Sequence, residues 1–229
     1  LPPVDGDTHE DRVAIVSELV HWSNGQPTLV QMQQFAELVM ARRASPLPAA
    51  VYKQIFMQRV MALAGPRLEA VRAGIVPRER WMVPGARELL EALGRRGIPC
   101  YLVSGTDDSI VREDIAVLGL GRLFAGIVGA TPDPSRSSKA AVFRRIARER
   151  SLGEGEMVAF GDGSEEVRLA KEMGGLAIAL AHDGAGSPGI DAEQRMRLIA
   201  AGADAIVADL QPCDAIMDYL FDSARTSAG

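Results

Sequence analysis

Little in this sequence invites chemistry based on sulfur, basic charge or a membrane. The 229 residues include two cysteines, Cys100 and Cys213, three histidines and 5% aromatics. Two cysteines exclude a disulfide scaffold and fit a reducing compartment. Positive charge is not in excess: the formal net charge is -5 and the pI about 5.3, whereas a nucleic-acid binder normally carries a basic footprint. No apolar run approaches the ~20 residues that span a bilayer. The longest clean stretch, 176–181, has strand length. No basic segment leads into an apolar one at the start, so neither signal peptide nor membrane contact is expected, and the expected location is cytoplasmic. Residue 1 is Leu rather than Met, which raises the expectation of a segment upstream. What is there is globular material, 47% hydrophobic and 24% charged. It suffices for one large domain or a domain with a sizeable insertion.

Two patterns divide the chain. Over 1–80 only helical spacing is visible: Val13, Ile15, Val16, Leu19 and Val20, then Leu29, Met32, Phe35, Leu38 and Val39. A third helical segment runs over 49–72, where Gly65-Pro66 is expected to bend or break it, because proline lacks an N–H. This reads as a small all-α unit. Over 81–229, short apolar runs (99–103, 126–129, 157–160, 176–180 and 205–207) alternate with amphipathic helices (85–96, 108–118, 138–151, 164–173, 191–201 and 214–221). Strands separated by helices of this length imply a doubly wound parallel sheet, an α/β fold covered on both faces. The tail from Ser223 is expected to fray. In such a sheet ligands bind beyond the carboxyl ends of the strands.

Three strand ends and helix starts draw attention there. Ser104-Gly105-Thr106 follows a buried strand and precedes a helix. It offers a hydroxyl, a close backbone approach and free N–H groups to an anion. Thr106 or Asp107 acting as a plain helix cap is an equal alternative. Asp162, between Gly161 and Gly163, with Glu166 one helical turn on, suits a hard cation such as Mg²⁺. A tight turn capped by Ser164 ranks second and a dinucleotide loop a distant third, since Glu166 stands where G-x-G-x-x-G needs glycine. Lys139 opens a helix, where the dipole disfavours it, after the loop Pro132-Asp133-Pro134-Ser135-Arg136-Ser137. Taken alone it reads better as a solvated surface lysine. Together the three supply an anion cradle, a charge clamp and a metal anchor, the electrostatic parts of phosphoryl transfer.

In that order and spacing these residues resemble the haloacid dehalogenase superfamily, mostly Mg²⁺-dependent phosphatases, and within it the branch with a helical cap after the first strand. The resemblance covers Pro84 to about Leu210. Leu102-Val103-Ser104-Gly105-Thr106 resembles the second motif, which implies phosphoryl binding by Ser104, Gly105 and Thr106. Lys139 matches the lysine of the third motif, and Phe160-Gly161-Asp162-Gly163 with Glu166 the acidic, metal-holding fourth. Val83-Pro84-Gly85 followed by Leu89, Leu90 and Leu93 resembles the segment re-entering the core from the cap.

The family's first motif, a strand ending in two aspartates that provide nucleophile and general acid/base, is not matched. Asp5-Gly6-Asp7-Thr8 has the separation, but Pro2 and Pro3 do not suit a central strand, so these residues are expected to lead into the first helix. The nucleophile strand is therefore expected upstream of residue 1. The resemblance implies a phosphatase acting on a small phosphorylated metabolite through an aspartyl-phosphate. The alternatives are a non-catalytic binding protein on the same fold, or a phosphotransferase or dehalogenase. Asn24, Gln26, Thr28, Gln31 and Gln33 are candidates to face the substrate, with a solvated turn as probable; Trp22 and Trp81 are read as packing residues. There is no G-x-S-x-G, and His9, His21 and His182 lack zinc-ligand spacing. No oligomeric state is assigned.

Overall fold

The computed structural model describes residues 1–23, 25–131, 133–182 and 189–221. Asn24, Pro132 and the tail from Ser223 lie outside them. Three helices come first: α1 (His9–Trp22), α2 (Thr28–Ala41) and α3 (Ala49–Arg72). Thr8 starts α1 by a reciprocal box, accepting from the Asp11 N–H while the Asp11 carboxylate accepts from its own. Asp7 is bound to Arg42 at the end of α2, so Asp5 and Asp7 do lead into the helical unit.

The expected break at Gly65-Pro66 does not occur, and α3 runs unbroken for 24 residues. Proline deprives the Ala62 carbonyl of its partner, but Ala62 and Pro66 are both exposed, so water can replace the lost bond. Apolar burial in this unit is thin: α1 buries no residue, and α2 and α3 bury Val39 and Val71 alone. Trp22 is 76% exposed, which overturns its reading as a packing residue. Trp81 is also exposed and carries the Arg67 guanidinium over its ring.

The remainder alternates as expected: α4 (Ala86–Arg95), β1 (Tyr101–Asp107), α5 (Asp108–Leu118), β2 (Gly126–Ala130), a short α6 (Pro134–Ser137), α7 (Lys139–Arg150), β3 (Val158–Gly161), α8 (Ser164–Glu172), β4 (Leu176–Leu180), α9 (Ala192–Ala200), β5 (Ala205–Val207) and α10 (Cys213–Phe221). The pairings between these strands are parallel, but they form two sheets, β1-β2 and β3-β4-β5. Side chains in β4 alternate as the pleat requires. Ala177 and Ala179 face α8 and α9 with Val167, Ala170 and Leu198, while Ile178 packs with α4 and α10 through Leu89, Leu93, Ile216 and Met217. A third cluster joins α5 to β1 and β2 through Val111, Ile115, Leu102 and Ile127.

Two helices pack against both sheets. In α4, Leu89 and Leu93 belong to the β4 cluster and Leu90 to the β1 cluster. On α7, Val142 is fully buried and Phe143 packs on the β3-β4 cluster, while the same helix touches β1. Among the described residues, no helix is long and apolar enough to cross a membrane.

Candidate active site

β1 extends further than its apolar run suggested, so Ser104, Gly105 and Thr106 lie within the strand. The Ser104 hydroxyl accepts from the Thr106 N–H at 3.1 Å, and the register with β2 slips between Val103 and Asp107. Asp107 is the N-cap of α5 yet makes no capping bond. Its carboxylate instead takes the ammonium of Lys53 on α3 at 2.6 Å.

The turn between α1 and α2 rests on this strand tip. A Cβ at Gly105 would lie 2.7 Å from the Gln26 carbonyl oxygen and 2.9 Å from that of Gly25, so only glycine admits the turn. Gly25 has a left-handed φ of +91, and a Cβ there would stand 2.8 Å from the Lys139 ammonium. Gln31 braces the turn, donating to the Ser23 carbonyl at 3.2 Å and the Gln26 carbonyl at 3.0 Å. Gln34 donates to the Gln26 side chain, and Gln33 is exposed. Of the expected polar cluster, Gln31 thus supports the turn.

Lys139 is not a solvated surface lysine. Ser138 caps α7 and aims the next side chain inward, leaving Lys139 5% exposed. Its ammonium bonds Glu166 and lies 4.0 Å from Glu165. Burial raises the Glu165 pKa; Lys139 opposes the rise and Glu166 adds to it. One oxygen of each glutamate is buried without a hydrogen-bond partner.

At the tip of β3, Asp162 is exposed, and its carbonyl accepts from Gln194 at 3.1 Å. The turn is not capped by Ser164: Gly163 is the N-cap, and no side chain caps the helix. Glu166 folds back over the strand tip instead, filling the space that a Cβ at Gly161 or Gly163 would need. The structure therefore joins Lys139 and Glu166 directly and brings Gly105 to them through the Gly25-Gln26 turn. Asp162 stays at the rim. Among the described residues, no three His, Cys, Asp or Glu side chains gather as a metal-holding group.

The sequence profile of the haloacid dehalogenase-like hydrolases matches residues 17–174. The chain belongs to that family. It is 26% identical over 99 residues to a phosphoglycolate phosphatase of Pseudomonas fluorescens, covering 43% of this chain and 36% of that one. It is 31% identical over 140 residues to a phosphoserine phosphatase of Streptomyces coelicolor, covering 56% and 33%. The chain thus spans about a third of the length of each. A β-phosphoglucomutase of Clostridium difficile superposes with a TM-score of 0.65 at 12% identity, over 91% of this chain and 83% of the other. A protein described as a predicted phosphoglycolate phosphatase, from Haemophilus somnus, gives 0.60 at 17% identity over 87% and 81%. These likenesses confirm the α/β fold.

Some neighbours of the candidate site in this chain are invisible in the sequence. Lys53 reaches Asp107 from 54 residues away, and nothing in local spacing signals it. His21 and Arg197 flank a small cavity beside Asp162. A larger cleft of about 410 Å³ around Gly153, Met157 and Gly174 contains none of the candidate residues.

Proposed function

We propose a Mg²⁺-dependent phosphatase acting on a small phosphorylated metabolite, in which residues 1–80 form the helical cap and 81–229 belong to the core. The observation that carries the reading is the buried Lys139, held among carboxylates across the Gly25-Gln26 turn from Gly105. A buried ammonium beside a strand tip that offers a hydroxyl and glycine is a phosphate-binding arrangement. The Ser104 hydroxyl and the backbone N–H groups around Gly105 would hold phosphoryl oxygens. Lys139 would balance their charge, exchanging part of its contact with Glu166 for the substrate.

The acidic tip fits a hard divalent cation: Asp162 and Glu166 offer oxygen donors, and one Glu166 oxygen is buried without a partner. Bound there, Mg²⁺ would neutralise phosphoryl charge. The relatives' names, phosphoglycolate and phosphoserine phosphatase, support a small phosphate monoester as substrate.

The nucleophilic carboxylate belongs on a further strand. Both β1 and β3 keep an edge unpaired by any named strand, and the Gly25-Gln26 turn sits between their tips. A parallel strand between them would join the two sheets and end among Ser104, Lys139 and Glu166. Its carboxylate would attack phosphorus as the ester P–O bond breaks, the leaving alkoxide taking up a proton and departing as the alcohol, and water would then hydrolyse the acyl phosphate to phosphate and the free carboxylate.

The test is Mg²⁺-dependent phosphate release from an aryl phosphate by the intact gene product, with Asp162→Asn expected to lower it at least a hundredfold. Full activity in Asp162→Asn would overturn the assignment. Binding of phosphate without release would favour the non-catalytic alternative.

A further inference from the structure

The three residues of the candidate phosphate site lie where β1 leaves its regular pairing. The strand matches β2 residue for residue as far as Val103 and again at Asp107, opposite Ala130, with a register shift between. Such an irregularity takes backbone groups out of the ladder, so other contacts must set the shape of the tip. Inside it the Thr106 N–H donates to the Ser104 hydroxyl at 3.1 Å. Just beyond it, Asp108 accepts from Arg112 and from the Gly129 N–H, which fastens the start of α5 to β2. Two contacts come from the helical unit. The Gly25 and Gln26 carbonyls close over Gly105, and the Lys53 ammonium on α3 meets the Asp107 carboxylate at 2.6 Å.

We infer that Lys53 is a positioning residue for the phosphate-binding tip, acting through Asp107. The inference rests on the phosphatase reading above, which supplies the anion, and adds to it a residue of the helical unit. Asp107 holds the N-cap position of α5, where an aspartate ordinarily accepts from the first N–H groups of the helix. It makes no such bond; its carboxylate is engaged by Lys53 instead. The two side chains are 25% and 34% exposed, so solvent screens the pair less than a bridge on the open surface. Without the ammonium, the carboxylate would turn to the N–H groups of α5 and carry the backbone of Asp107 with it. Thr106 is joined to that residue, and the Ser104 hydroxyl to the Thr106 N–H, so the donors offered to a phosphoryl group would shift together. Displacements of about 1 Å matter at such a site.

Positioning and plain charge predict opposite signs for Asp107. Were the pair felt only as a field, Asp107→Asn would remove a negative charge near the tip and tighten anion binding. Positioning requires that loss of either partner weaken it. Isothermal titration of the intact gene product with inorganic phosphate and Mg²⁺ is expected to show Kd about fivefold higher in Lys53→Gln and in Asp107→Asn, the size of one hydrogen bond. The double variant should be no weaker than either single one, and Lys53→Arg should restore most of the parent affinity. A merely structural joint would lower Tm in these variants and leave the Kd of the folded protein unchanged. That result, a tighter Kd in Asp107→Asn, multiplying effects in the double variant, or no phosphate binding by the parent overturns the inference. Asp107→Ser, which keeps a helix-capping side chain, replaces Asp107→Asn if that variant does not fold, and the Asp107 variant decides alone if Lys53→Gln does not. Phosphate binding with the expected pattern, but without release from an aryl phosphate, would remove the phosphatase reading and leave the positioning role standing.

Discussion

Lys139 shows how a residue's surroundings replace its local reading. At a helix start, a lysine is ordinary surface material, yet this one is almost wholly buried against Glu166. Removing one partner of such a pair leaves the other charge desolvated. Lys139→Met is therefore expected to lower stability by about 3–5 kcal/mol, measured by urea unfolding, and to abolish phosphate release. Gly105 is tested by the opposite change. Alanine would drive a methyl group into the Gln26 carbonyl, so Gly105→Ala should destabilise by about 1–3 kcal/mol and disturb the α1–α2 turn together with anion binding. These roles were partly legible. Ser104, Lys139 and Asp162 stood out because a strand end or helix start marked them. Glu165, Lys53, His21 and Arg197 did not, because their partners lie far along the chain and only packing selects them.

At the level of elements, α3 carries an avoidable defect. Pro66 leaves one carbonyl without its helical partner in an exposed stretch, so Pro66→Ala should raise stability by about 1–3 kcal/mol, visible as an increase in Tm. Sequence alone predicts a break at Pro66, because the missing N–H is legible there and the exposure of Ala62 is not. A second test concerns the joint between β1 and α5. Asp108 accepts from Arg112 at 2.7 Å and from the Gly129 N–H at 2.8 Å, and these bonds, Arg112 first, hold its pKa below the ordinary carboxylate value of 3.8. A depressed folded pKa gives stability that is present above the unfolded value and is lost as pH falls through the folded one. Asp108→Asn should therefore show a smaller loss of stability than the parent between pH 6 and pH values of about 3 and below, measured by denaturant unfolding at each pH. An identical pH profile would contradict the bond's contribution.

For the molecule as a whole, the decisive feature is that the parallel strands form two separate sheets, β1-β2 and β3-β4-β5. Edges left without a partner strand expose backbone donors and acceptors, which buried structure rarely tolerates. If the intact gene product supplies a strand there, amides of Val103–Gly105 and Val158–Gly161 should exchange with deuterium markedly more slowly in it than in residues 1–229 alone. Equal exchange would contradict a strand in that position.

The residues by themselves determined the α/β alternation, the helical character of the first eighty positions and the strand ends that carry the candidate residues. They could do so because periodicity, turn composition and strand-tip chemistry act over a few residues. Only the tertiary structure decided that Lys139 is buried, that the α1–α2 turn lies on Gly105, that Trp22 faces solvent and that Lys53 meets Asp107. Each of those depends on which distant surfaces come together, and that choice belongs to the packing of the whole chain.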